Sequence, residues 1–245
     1  HNLGLIAELC DEVIIMYAGE ILESGKIQEI YSNPSHPYTQ ALLACDPARE
    51  NKKTRTLSVI PGDIPDLHVK PKGCVFVSRC ELAVQNCHIE RPKNHQISSS
   101  NHFAKCHLLD PKSTQAQTPT NPKKVTKTKV NSERFSNKDE IHLLNVKNIQ
   151  VRFPIMTKLK AKLKGINKPY VDAVFNASLT LERGETLGLV GESGSGKTTL
   201  GRAILGLVRA KSGSVEYNGL DLCQLTSREF KPLRRNMSMM FQDPI

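Results

Sequence analysis

The chain has 245 residues, a formal net charge of +10 at pH 7 and 38% hydrophobic residues, which leaves room for one or two domains and sets part of the chain aside as linker or insertion. No stretch approaches the roughly 18 apolar residues of a membrane span, and no secretory signal opens the sequence. Seven cysteines would read as disulfides in a secreted protein, but a phosphate-binding motif at residues 191–198 belongs with cytosolic nucleotides and turns them toward thiol or metal chemistry.

In chain order, residues 1–11 predict a helix with Leu3, Leu5, Ile6, Leu9 and Cys10 apolar. Residues 12–17, with Val13, Ile14, Ile15 and Met16, predict a buried strand; Ala18-Gly19 turns it, and residues 20–23 return. A short helix over 26–31 is broken at Asn33-Pro34, and Pro37 opens another over 38–45.

The runs His1-Asn2-Leu3-Gly4, Cys10-Asp11-Glu12-Val13, Met16-Tyr17-Ala18-Gly19-Glu20-Ile21 and Asn33-Pro34-Ser35-His36-Pro37-Tyr38-Thr39-Gln40-Ala41-Leu42-Leu43 resemble the end of an ABC-transporter ATPase of the oligopeptide/dipeptide type. The resemblance implies that His1 is the switch histidine, a catalytic residue at the γ-phosphate and attacking water. On composition alone it is an ordinary solvated histidine.

Residues 47–73 are polar and proline-bearing, with a turn at 60–67. Cys74, Cys80, Cys87 and Cys106 follow in the spacing C-x₅-C-x₆-C-x₁₈-C. Four thiolates suit zinc or an iron–sulfur cluster, although the gaps exceed those of the usual zinc knuckle. His88, His102 and His107 stand close enough in sequence to replace a ligand, and Cys10, Cys45 and Cys223 read as packed or free thiols. The family resemblance implies ligands of a [4Fe–4S] cluster, with Zn²⁺ as the alternative.

Residues 111–140 are rich in Lys, Thr, Ser, Asn and Pro. They cannot offset their ordering entropy by burial and are expected to be a flexible linker. Without interleaved aromatics their lysines do not predict a nucleic-acid partner.

From residue 141, Leu143, Val146, Ile149, Val151 and Phe153 predict one or two strands. Lys158 to Lys164 alternates lysine with apolar residues, a pattern for an exposed strand or hairpin, either a solvated insertion or a surface for anionic lipid. Residues 171–181 predict another strand.

Residues 186–190 then form a short apolar run, and Leu200, Ala203, Ile204, Leu207 and Val208 recur at helical spacing over 199–208. Between them, Gly191-Glu192-Ser193-Gly194-Ser195-Gly196-Lys197-Thr198 fits the P-loop G-x-x-x-x-G-K-[ST]. The glycines let backbone N–H groups turn toward an anion, Lys197 supplies a cation for the β- and γ-phosphates, and Thr198 supplies a hydroxyl for Mg²⁺. Beyond it, residues 213–219 predict a strand and an Asn-Gly turn, a helix starts at Ser227, and residues 237–241 predict a buried strand.

The segment from Gly184 through the P-loop to Thr199, and Phe241-Gln242-Asp243-Pro244, again resemble ABC ATPases of the same type. That resemblance implies ATP and Mg²⁺ as cofactors, with Gln242 a catalytic residue on Mg²⁺ and the attacking water. It adds Thr199 to the nucleotide contacts and makes Phe153 the adenine-stacking aromatic, with Tyr170 the competitor and a core-facing role for Phe153 the plain alternative.

The expected fold class is α/β, P-loop NTPase (ABC ATPase) pieces with a small Cys-rich extension and a flexible linker. Residues 1–46 are expected to end a first ATPase domain, 47–110 to form its Cys-bearing C-terminal region, 111–140 to link, and 141–245 to begin a second ATPase domain. The implied protein is a tandem ATPase on the cytoplasmic face of the inner membrane, peripheral to it, energising permease subunits that import peptides or related solutes. A soluble ABC ATPase is the alternative; a P-loop kinase explains neither Phe241-Gln242-Asp243-Pro244 nor His36-Pro37-Tyr38-Thr39. No LSGGQ-type segment or strand ending in Asp-Glu occurs in the sequence, so residues 1–245 alone are expected to bind nucleotide without hydrolysing it.

Overall fold

The structure is a computed structural model describing residues 3–46, 59–66, 71–97, 101–110, 142–156 and 170–240. The chain forms two compact units, residues 1–140 with 184–195, and residues 141–183 with 196–245.

In the first unit, helix α1 (Leu3–Leu9) leads to β1 (Glu12–Tyr17) and β2 (Glu20–Lys26). The β1 run is β-branched and apolar, and residues 13–17 are all buried, so it reads and behaves as a central strand. Its turn to β2 takes positive φ at Ala18 (47°) and Gly19 (81°), the hand that suits a two-residue hairpin. Helices α2 (Ile27–Ser32) and α3 (Pro37–Ala44) follow. Pro37 sits in the first turn of α3, where His36 caps the helix by accepting the Tyr38 N–H.

The Cys-bearing segment contributes α4 (Gln85–Ile89), β3 (Asn94–Gln96) and β4 (Phe103–Lys105). With β7 (Leu187–Val190) these strands make a five-stranded sheet in the order β3-β4-β2-β1-β7. β1 pairs antiparallel with β2 and parallel with β7, Glu12 opposite Leu187 and Ile15 opposite Val190. The core of this unit packs Val13, Ile15, Tyr17, Leu22, Ile30 and Tyr38 against Val75, Phe76, Cys74, Cys87 and Val190. The Cys-bearing segment therefore shares one core with β1, β2 and α3.

In the second unit, β5 (Leu144–Pro154), β6 (Tyr170–Leu181), β8 (Ser212–Tyr217) and β9 (Leu220–Asp221) form an antiparallel sheet in the order β6-β5-β8-β9. The expected one or two strands after residue 141 are one long strand, with register shifts between Val146 and Arg152, the first spanning Asn148 at φ 50°. The β8–β9 turn at Asn218-Gly219 has positive φ at both residues, as its sequence predicts. Helix α5 (Lys197–Ile204) contacts β5 and β6, with Leu200 and Ala203 buried. Helix α6 (Ser227–Leu233) starts from a Thr226–Glu229 capping box.

Two expectations differ. Helix α5 ends at Ile204 rather than at residue 208, because the chain turns through Gly206 at φ 64°. Residues 237–240 form no strand; no described strand pairs with them, and Met240 is 90% exposed. No helix among the described residues is long and apolar enough to cross a membrane.

Candidate functional site

Strand β7, the glycine loop and helix α5 give the strand–loop–helix context that a P-loop needs. Gly191 leaves β7 at φ 153°, and a Cβ built there would lie 2.1 Å from the Met16 carbonyl oxygen and 2.8 Å from Ser195 Oγ. Only glycine allows the strand to turn so close to β1. Ser195 is buried, its N–H donates to the Glu192 carbonyl, and its own carbonyl accepts from the Gly19 N–H at 2.9 Å. Gly196, at φ 101°, is the N-cap of α5, so Lys197 is the first helical residue. The opening N–H groups of such a helix lack intrahelical partners and favour an anion. Ser193, Gly194 and Thr198 are exposed, and Lys197 and Thr199 half-buried.

Two elements outside the loop hold Glu192. The Tyr38 hydroxyl accepts the Glu192 backbone N–H at 3.1 Å. Arg79 Nη1 donates to both carboxylate oxygens of Glu192, at 3.1 and 2.9 Å. Burial disfavours the Arg79 charge, but its hydrogen bonds to Tyr17 and Glu192 outweigh that and raise its pKa. Sequence reasoning missed this arrangement. Tyr38 was visible within His36-Pro37-Tyr38-Thr39, but without a role; nothing in the sequence marks Arg79 except its place before Cys80.

Phe153, on β5, is 42% exposed. Tyr170 on β6 is half-buried, and the Arg152 guanidinium lies 3.7 Å from its ring centroid while bonding Asp172. One face of Tyr170 is thus already stacked. A cavity of about 520 Å³ is lined by Arg152, Pro154, Tyr170, Arg209 and Lys211, and Phe153 is not among its lining residues. His1 and Gln242 lie outside the described residues, as do residues 158–164.

The four clustered cysteines come together. Cys74, Cys87 and Cys106 are buried and Cys80 half-buried, and Cys106 feels the charges of the other three. Burial, reinforced by neighbouring thiols, pushes Cys74 up to about 11 and Cys106 up to about 12. The backbone two residues on, at Phe76, Leu82 and Leu108, favours the thiolate forms of Cys74, Cys80 and Cys106 and partly opposes this. Among the described residues no three His, Cys, Asp or Glu side chains are arranged to hold a single metal ion. His102 bonds Glu23 at 2.8 Å, His107 bonds the Glu90 carbonyl at 3.0 Å, and His88 is exposed.

Residues 22–87 match the family model described as the oligopeptide/dipeptide transporter C-terminal region, and residues 174–245 match that of the ABC transporter. The whole chain aligns at 33% identity with the oligopeptide transport ATP-binding protein OppD of Mycobacterium tuberculosis and at 34% with the glutathione import ATP-binding protein GsiA of Escherichia coli. It spans 39% of the former's length and 30% of the latter's. A solved structure of the ATP-binding cassette MJ0796 bound to ADP and Pi is similar over 38% of this chain and 35% of its own, at 25% identity and a TM-score of 0.32. Residues 22–87 are thus similar to the oligopeptide/dipeptide transporter C-terminal region, and residues 174–245, which include the P-loop, to ABC transporter sequence.

Proposed function

We propose that the protein is an ATP-binding and ATP-hydrolysing component that powers an importer of peptides or related small solutes such as glutathione. The observation that carries this reading is the strand–glycine loop–helix at residues 187–204 in a chain that also holds a peptide-transporter C-terminal region. Bound MgATP supplies the phosphoryl group whose transfer to water releases the energy. Lys197 would balance charge on the β- and γ-phosphates, the Thr198 hydroxyl would hold Mg²⁺, and the N–H groups of Gly194 and of Gly196 to Thr199 would meet the phosphates. Gln242 and His1 act on water and γ-phosphate, and Phe153, whose ring is open where Tyr170 is stacked, receives adenine.

The order of the two matched segments, a C-terminal region before ABC sequence, supports two ATPase domains in one longer chain. His1 then serves one ATP site and Lys197 the other. The domains meet permease subunits at the cytoplasmic face of the membrane, as peripheral partners. Cys74, Cys80, Cys87 and Cys106 would be the ligands of a [4Fe–4S] cluster, a reading supported by the mutual influence of their thiols.

The test is nucleotide titration of the chain. MgATP, followed with a fluorescent analogue, binds the unaltered protein; Lys197→Ala weakens binding by about tenfold or more. Equal binding by both would sink the reading.

A further inference from the structure

The contact between Arg79 and Glu192 joins residues 113 positions apart, one beside a cluster cysteine and one inside the phosphate-binding loop. We infer that Arg79 and Tyr38 are positioning residues for the nucleotide site: they fix the 191–195 half of the loop and neutralise its one carboxylate. The inference rests on the nucleotide-binding reading above.

The geometry of Arg79 is specific. Its side chain is 5% exposed. Nε donates to the Pro61 carbonyl and Nη2 to the Ile60 carbonyl, each at 2.9 Å, while Nη1 meets Tyr17 Oη at 3.2 Å and both Glu192 oxygens. This is a planar fork spanning three directions, which a lysine ammonium cannot reproduce. The short 3₁₀ turn Val77–Arg79, between Cys74 and Cys80, presents it.

Tyr38 completes the grip. Its ring is fully buried, with centroids 4.7 Å from Tyr17 and 5.2 Å from Phe76, so its hydroxyl is fixed where it accepts the Glu192 N–H. That N–H is thereby turned away from the loop's interior. The Ser195 carbonyl is held by Gly19, and the stretch from Glu192 to Ser195 is pinned at both ends.

The charge argument is independent of the packing. A loop that receives a polyphosphate carries Glu192, 23% exposed. An uncompensated carboxylate there repels the incoming anion. Arg79, charged and almost dry, cancels it. Removing Arg79 therefore weakens nucleotide binding even if the loop keeps its shape, and removing the Glu192 charge as well restores it.

The experiment is a double-mutant cycle on MgATP affinity in the full chain, with thermal unfolding followed in parallel. Arg79→Met weakens binding about tenfold, and adding Glu192→Gln to it brings affinity back to within about threefold of the unaltered chain, with Glu192→Gln alone completing the cycle. Arg79→Lys keeps the charge but loses the fork, and weakens binding by less than Arg79→Met does. Tyr38→Phe keeps the ring and loses the acceptor, and weakens binding several-fold. Should Arg79→Met unfold, Arg79→Lys and Tyr38→Phe still decide the matter, since both keep the packing around the loop and both are expected to bind MgATP more weakly. Variants that all bind MgATP as the unaltered chain does, or losses in Arg79→Met and Glu192→Gln that simply add, overturn the inference. No MgATP binding by the unaltered chain overturns the nucleotide-binding reading itself, and this inference with it.

Discussion

His36 shows how a single motif residue is set by its surroundings. It is buried, its Nδ1 caps α3 by accepting the Tyr38 N–H, and its Nε2 finds no hydrogen-bond partner among the described residues. Burial lowers its pKa from 6.5 to about 4, with the Glu23 carboxylate opposing. The folded state thus prefers the neutral ring. Its stabilising effect is complete above pH 6.5 and is lost as pH falls toward 4, by up to about 3 kcal/mol. The urea midpoint of the first unit should fall between pH 7 and pH 5, and fall less in His36→Asn, which keeps a capping acceptor. Parallel slopes for the two proteins would show that His36 does not carry the effect. At this scale the sequence was informative about type and silent about partnership. Lys197 and Thr198 were legible because their chemistry lies in local spacing. Arg79 was not, because its meaning depends on Glu192, and no local pattern encodes a contact between them.

At the scale of elements, β1, β7, α5 and the Asn-Gly turn were readable because each rests on a short-range rule: a β-branched run, a glycine loop, helical spacing, a φ preference. Residues 237–240 misled for the same reason, since an apolar run becomes a strand only when a neighbouring strand receives it. The P-loop glycines separate two causes that sequence treats alike. Gly191 has the Met16 carbonyl and Ser195 Oγ against it, whereas Gly194, at φ 78°, has nothing within 4 Å of a built Cβ. Gly191→Ala is expected to cost about 2–3 kcal/mol in urea unfolding by overpacking and to abolish MgATP binding. Gly194→Ala should cost about 1 kcal/mol, from backbone strain alone. Equal costs would mean that the close approach to β1 is not what selects glycine at 191.

For the molecule as a whole, the cysteine spacing points to a metal centre without choosing it, and the fold adds that Cys74 and Cys87 lie in the core shared with β1 and α3, with Cys80 packed against it and Cys106 buried. Such a centre would be a structural part of the first unit. Isolated without oxygen, the chain should be brown, with about four irons and four inorganic sulfides per molecule, and Cys106→Ser should be colourless. Stoichiometric zinc without iron would overturn the cluster.

The parallel pairing of β1 with β7 carries a consequence for biosynthesis. Roughly 170 residues separate the two strands, so at about 5–20 residues per second β1 leaves the ribosome some 10–30 seconds before this partner exists. Until β7 is made, the edge of β1 that it will cover lies open, and the apolar strand at the centre of the first unit is completed only when the P-loop strand arrives.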